Sequence, residues 1–383
     1  MTLAERPITM DLKECTHLRE LGIRIALRTL PRMLLSNEGP FCLELTKDNQ
    51  PPRYDKDKSW RYTIMCLLGL IRAQQAGLSA GIDINSIFEH AMRVSAQFGR
   101  GDLGLLLWLA VRIRSGHANR ITAELESRLA DRVWDDLTGM EIAWILTGMA
   151  FYTSTGGEKQ KKGMERLLDY FFEKRVTPSG LILHLGKGIR SRFPNFATQI
   201  YSVHALSICA RLHRSERCAQ QANVLVERLK KAQRDNGGWP WLYDAKAGLV
   251  LEPYEIYGVH QHAMAPMALF EFAEATGKDV SLPVVNGLKW LERRNELQYP
   301  MIDEERGLIY RSIRRCRPAH RIVPYSRVAK SCLGLKSTTT TQDDPSGLEV
   351  NFTCRPYELG WLLEAWCDRR ILAECNALAS SSL

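Results

Sequence analysis

No stretch of this chain is apolar over the roughly 18 residues that a membrane-spanning helix requires. The strongest candidate, "GDLGLLLWLAVRIRSG" from Gly101, is too short and soon turns basic, so no integral membrane span is expected. The start, "MTLAERPITMDLKECTHLRE", lacks the apolar core of a secretory leader. The ten cysteines form no Cys-x-x-Cys pair and no regular spacing. They read as reduced thiols, not as a disulfide frame. Together these absences predict a cytoplasmic protein. Zinc-finger and RRM patterns are also missing, and no nucleic-acid partner is expected. Period-two alternation is scarce, which argues against a sheet protein.

What is present is ordinary globular material. Of 383 residues, 45% are hydrophobic and 25% charged, enough for a sizeable core. The net charge of +9 gathers in clusters such as "RRCRPAHR" (314–321) and "EKQKKG" (158–163). Such clusters are either solvated surface or an attraction for an anionic partner or substrate.

Apolar residues recur at helical spacing over most of the chain. Six segments are apolar nearly all round, beginning near Tyr62, Gly101, Gly139, Phe196, His260 and Tyr357. A helix that is hydrophobic on every side is buried on every side. Each is preceded by a charged, amphipathic helical segment, as "INSIFEHAMRVSAQF" precedes the one at Gly101. Six such pairs predict an inner ring of helices inside an outer one, an all-α (α/α)6 toroid spanning residues 1–383 as one domain. The alternative is an irregular α-solenoid, which should show more polar capping repeats. Long connections are expected at 176–195, 236–259 and 296–355, and the last contains the polar run "GLKSTTTTQDDPSGLE", whose order the sequence leaves open.

The run "LKKAQRDNGGWPW" ends one amphipathic segment. It resembles the QW-type turn of α/α-toroid proteins, in which an outer helix ends in Gln and is followed by Gly-x-Trp. The resemblance rests on Gln233, Gly237, Gly238 and Trp239, with a degenerate echo at "GLKWLERRNELQYPMIDEERGLIY". Such turns occur in squalene and terpene cyclases and in protein prenyltransferases. Closely similar "NGGWP" turns occur in toroidal pectate lyases and uronic acid epimerases. The resemblance implies the toroid more strongly than it implies any one chemistry. Locally, Gln233 can satisfy backbone groups at a helix end, a glycine can supply the positive φ of the stop, and Trp239 can pack back over the helices. Trp241 and Tyr243 are surplus to that turn and are expected to border the cavity as stacking surfaces.

In a toroid the inner-helix N-termini converge on one mouth, where unpaired N–H groups favour anions. The starts carry Arg61 and Tyr62; Asp102; Glu141; Asn195, Gln199, Tyr201 and His204; Tyr257, His260, Gln261 and His262; and Arg355, Tyr357 and Glu358. Any one of these is easily a helix cap, as Asp102 and Glu141 would be; six convergent cases suggest a site. The densest cluster is "YEIYGVHQHAMAPMAL". It nominates His260, with Tyr257 or His262, as an acid/base centre, and Asp102 and Glu141 as further catalytic carboxylates. Arg61 or Arg192 would hold an anionic substrate group. Gln199, Tyr201, His204, Trp241, Tyr243, Gln261, Tyr357 and Glu358 would complete the binding surface. No metal and no cofactor are expected, because His-x-His alone is weak evidence and neither Asp-x-Cys nor Cys-His occurs.

These residues suit an intracellular enzyme acting on a small-molecule or oligosaccharide substrate, an acidic or modified sugar, as a lyase, epimerase or hydrolase. In length and cytosolic character the chain also resembles N-acylglucosamine 2-epimerases. A terpene cyclase-like alternative would use a cavity lined by Trp108, Trp144, Trp361 and Trp366, but neither DxDD nor DDxxD occurs. A basic, non-enzymatic scaffold is the third reading; it would show no mutually reachable His, Tyr and acid.

Overall fold

A computed structural model gives the fold and describes residues 12–48, 50–129, 133–335 and 345–367. Outer helices α1 (Leu12–Met33), α3 (Ile84–Val94), α5 (Ala118–Leu129), α7 (Glu158–Lys174), α9 (Glu216–Ala232) and α11 (Ser281–Lys289) alternate with inner ones. The inner helices are α2 (Ser59–Gln75), α4 (Arg100–Arg112), α6 (Gly139–Ser154), α8 (Phe196–His213), α10 (Ala265–Thr276) and α13 (Pro356–Trp366). A π-helical turn at His260–Met264 leads into α10, and another at Trp290–Arg294 extends α11. One further helix, α12 (Ala319–Cys332), lies in the last long connection.

Sequence decides which helices go inside. α3 buries Ile84, Ile87, Phe88, Ala91 and Met92, a single stripe at helical spacing. α8 buries every residue from Phe196 to Ala210. The inner helices pack in the order α2, α4, α6, α8, α10 and α13, and α13 returns to α2, which closes the ring. Glycines set the spacing at two of these joints. A Cβ on Gly148 would stand 2.2 Å from the Gly104 carbonyl oxygen, and one on Gly69 would stand 2.0 Å from that of Gly360. The backbones therefore meet with no side chain between them.

The QW-type turn is held as its chemistry requires. Gln233 Nε2 donates to the Gly237 carbonyl and to the Pro283 carbonyl, both at 2.9 Å. Gly237 takes φ +90°. Trp239 is buried against Phe196, with ring centroids 5.4 Å apart.

The connections that feed inner helices lie at the end where those helices begin. Here they carry short antiparallel strands. Leu242–Asp244 pairs with Leu249–Glu252, and Ser312–Arg315 pairs on one side with Ile256–Tyr257 and on the other with Leu348–Asn351. Most of the polar run in the last long connection (336–344) lies outside the described residues. Among the described residues no helix is long and apolar enough to cross a membrane.

Candidate active site

The mouth is built first from helix starts. Asp102, Glu141 and Glu358 each occupy the third position of an inner helix. Each carboxylate accepts the backbone N–H three residues earlier: Gly99 at 3.3 Å, Thr138 at 2.8 Å and Arg355 at 3.1 Å. These donors have no partner inside the helix, so a carboxylate there is stabilising irrespective of catalysis.

Arginines tie the Asp102 and Glu358 starts into a lattice of ion pairs, and Glu141 lies near enough to favour the Arg61 charge. Arg61 holds Asp102 with two bonds, Nε to Oδ1 at 2.5 Å and Nη2 to Oδ2 at 3.1 Å, and lies over the Trp144 ring at 5.6 Å. At the joint of α13 and α2, Arg355 donates to the Tyr62 hydroxyl at 2.8 Å and to Glu44 at 3.3 Å. Tyr62 packs on Tyr357 at 4.6 Å. Arg311 pairs with Glu358 and lies over the Tyr257 ring at 4.8 Å. Burial works against the Arg311 charge, but Tyr357, Glu358 and Tyr257 hold its pKa above the ordinary value. All three arginines face carboxylates, so the lattice offers no surplus cation.

Beside the lattice is a cleft of about 140 Å³ lined by Trp241, Tyr254, Glu255, Arg314, Arg315 and Pro324. Glu255 is the carboxylate on its wall. The Tyr257 hydroxyl donates to Glu255 Oε2 at 3.0 Å, and the Ser312 hydroxyl donates to Oε1. Behind them lies His260, its ring nearly parallel to Trp241 (centroids 5.9 Å apart, planes 10°) and 5.1 Å from Tyr257. Burial pushes His260 well below the ordinary histidine pKa, and Arg311 and His262 push the same way. The imidazole is therefore neutral at physiological pH, and its Nδ1 makes no hydrogen bond within the protein. Burial likewise raises the Tyr257 phenol, which stays protonated and donating.

The structure thus brings together Arg61, Asp102, Glu141, Tyr357, Glu358, Tyr257, His260 and Trp241. It places the other nominated residues elsewhere. Arg192 is engaged with Asp244, Nε to Oδ1 at 2.8 Å and Nη2 to Oδ2 at 2.6 Å, and also donates to Ser331 at 3.0 Å. It ties a loop to α12 and has no charge to spare for substrate. Tyr243 is buried and does not line the cleft. The strand register shifts between Leu242 and Tyr243, which breaks the alternation that would put Trp241 and Tyr243 on one face. Gln199 is consumed by a clamp on Ile182, donating to its carbonyl at 2.8 Å and accepting its N–H at 2.9 Å.

The run of His260, Gln261 and His262 cannot act as one cluster. Successive side chains of a helical turn point to different sides, and of the three only His260 stacks on the cleft residue Trp241. Gln261 is buried and donates to the Tyr257 carbonyl at 3.1 Å. His262 is buried with both ring nitrogens lacking a partner in the protein, and burial drops its pKa to about 3. Tyr201 and His204 lie deeper in the ring. The Tyr201 hydroxyl accepts Trp361 Nε1 at 2.7 Å, and His204 packs on Trp108 at 5.4 Å. Trp108 also stacks on Trp361 at 5.8 Å, and Trp366 donates to the His262 carbonyl at 2.7 Å. The tryptophans of the isoprenoid reading are packed on one another and on neighbours.

Glu255 and Arg311 were not legible as site residues, because neither starts an inner helix. The one pointer was the position of Glu255 between Tyr254 and Tyr257 in "YEIYG". Among the described residues no group of three or more His, Cys, Asp or Glu is arranged to hold a metal ion.

No family model matches the chain, and no curated protein matches it in sequence. Solved structures match it over nearly its whole length. A sugar epimerase from a ruminal bacterium aligns with TM-score 0.60 at 11% identity, covering 94% of this chain and 98% of that one. Cellobiose 2-epimerase from Bacillus thermoamylovorans B4167 aligns with TM-score 0.59 at 13% identity, covering 93% and 100%. An unsaturated glucuronyl hydrolase from Bacillus sp. GL1, responsible for degradation of glycosaminoglycan, aligns with TM-score 0.57 at 12% identity, covering 93% and 96%. At such identities the shared property is the architecture, and with its closed ring of six hairpins this chain has the fold of an (α/α)6 toroid.

Proposed function

We propose that this chain is an intracellular carbohydrate-active enzyme that binds a sugar at the toroid mouth and moves protons there. The observation that carries the reading is the Glu255–Tyr257 hydrogen bond, 3.0 Å, on the wall of a cleft that Trp241 also lines. Trp241 offers a flat face to a sugar ring. Glu255 is the base or acid, Tyr257 positions it, and the neutral His260 stacks behind Trp241 and backs its ring. The solved structures of the same fold named above act on sugars, which supports a small-molecule or oligosaccharide substrate. An acidic group on that sugar would be met by Arg314. Arg314 lines the cleft, and its present partner, Glu349 at 2.8 Å, is partly exposed, a pair that a substrate anion can displace.

The geometry is compatible with proton abstraction beside a carbonyl or carboxylate, as in epimerisation or elimination, and with glycoside hydrolysis. Incubation with neutral and acidic oligosaccharides in D2O, followed by NMR, separates these. Epimerisation and elimination exchange or remove a carbon-bound hydrogen, whereas hydrolysis releases reducing ends without such exchange. Glu255→Gln should lower turnover by about 10²–10⁴-fold with an unchanged circular dichroism spectrum. Full activity in that variant, or no turnover of any sugar by the parent protein, defeats the reading.

A further inference from the structure

Residues 316–335, which include α12, contain no Asp or Glu, yet they carry Arg317, Arg321, Arg327 and Lys330. The helix is fastened to the mouth by one side. Arg327 pairs with Glu252 at 2.9 Å and donates to the Leu251 carbonyl at 3.2 Å, while Ser331 donates to Asp244. Its other side is apolar and faces outward. Ile322 is 60% exposed and Tyr325 77%, and just past the helix Leu333 is 74% and Leu335 56% exposed.

The same face continues onto the body. Leu249, 63% exposed, belongs to a strand that packs against α12, and Ile189, 66% exposed, belongs to the turn whose Arg192 bonds Ser331. These six side chains are the majority of the ten large hydrophobics exposed among the described residues, so the exposure is concentrated. Arg190, Lys246, Arg317 and Lys330 are exposed in the same elements. The acids of the neighbouring strands, Asp244 and Glu252, are buried in ion pairs. The face is apolar and positive at once.

We propose that this face docks the protein on an anionic bilayer surface, with α12 lying in the head-group plane and the mouth turned toward the lipid. Basic side chains beside an outward apolar stripe are the requirements of an interfacial helix: apolar atoms enter the acyl boundary while Lys and Arg meet phosphate. A soluble polyanionic glycan would match the charge but not Ile189, Leu249, Ile322, Leu333 and Leu335, whose aliphatic surface gains nothing from hydroxyls. The inference does not depend on which sugar chemistry the mouth performs.

The test is co-sedimentation of the full chain with vesicles of phosphatidylcholine alone and of phosphatidylcholine with phosphatidylserine. Sedimentation with the anionic vesicles is expected, weakening about fivefold for each of Arg317→Gln and Lys330→Gln. Ile322→Asp with Tyr325→Asp should abolish it. Leu249→Asp, on the body and outside α12, should weaken it with the helix untouched. A Tyr325→Trp variant should show a blue-shifted emission on binding. No sedimentation with anionic vesicles overturns the proposal, as does binding that survives both sets of Asp substitutions. Retention on a sulfated polysaccharide without vesicle binding would identify a glycan-binding face and overturn it as well.

Discussion

Gly237 occupies the one position in the QW-type turn where a side chain should be intolerable for two separable reasons. Its φ is +90°, and a Cβ built on it would fall 1.9 Å from the carbonyl oxygen of Asn286 in α11. A left-handed conformation costs a residue bearing a Cβ about 1–2 kcal/mol. Relieving the overlap requires the turn after α9 to part from α11 by more than an ångström, comparable to overpacking a core at about 1–3 kcal/mol. Gly237→Ala should therefore lose about 2–5 kcal/mol. Gly77 isolates the first contribution: its φ is +77°, and nothing lies within 4 Å of its Cβ position. Gly77→Ala should lose only about 1–2 kcal/mol. Urea unfolding followed by far-UV circular dichroism compares the two, provided the slopes agree. The Gly237 variant should unfold at lower urea than the Gly77 variant. Coincident midpoints would refute the reasoning, because the turn and α11 would then be free to part without loss.

Gln199→Ala should leave the Ile182 N–H and carbonyl buried without partners, at about 1–3 kcal/mol for each; an unshifted unfolding midpoint would mean that the clamp adds nothing. His262 gives the acid limb of stability. Its folded pKa is about 3, against about 6.5 in the unfolded chain. Below about pH 6.5 the unfolded state binds the extra proton, so stability is full above that pH and falls by about 1.4 kcal/mol per unit on acidification. His262→Leu should flatten that limb, and an unaltered slope in pH-dependent denaturation would count against a buried neutral imidazole. Trp239→Ala should cost about 3–5 kcal/mol of stability. Trp241→Ala should instead raise KM for the sugar with little change in the midpoint, and the reverse pattern would exchange their roles.

The ring was legible because it depends on burial, which periodicity reports directly. α8, apolar on all sides, had to be inside, and α3, with one stripe, outside. The closure between α13 and α2 was less visible, since it relies on Gly69 meeting Gly360 from widely separated parts of the chain. α12 escaped notice for a different reason. Its side toward the body carries Arg327 and Ser331, and its large apolar residues Ile322 and Tyr325 face out, so its pattern is inverted relative to a packed helix. Tyr243 was nominated only as an aromatic surplus to the turn, and the register shift beside it, which no sequence pattern announces, parts it from Trp241.

The site was harder to read because helix starts and active sites ask for the same residues. Asp102, Glu141 and Glu358 would be expected at third helical positions in a toroid with no activity at all, since each satisfies a backbone N–H. Their convergence follows from the ring, not from chemistry. What no helix requires is Glu255, held by Tyr257 and Ser312 on a loop-built wall, with Trp241 beside it and a neutral His260 behind. Removing a capping acid should change stability first and activity second. Removing Glu255 should change activity while leaving the ring intact, because its partners Tyr257, Ser312 and Asn351 sit on the strands of the long connections and not on the ring helices. The separation of those two effects marks the functional residues in a fold whose architecture already gathers polar groups at one end.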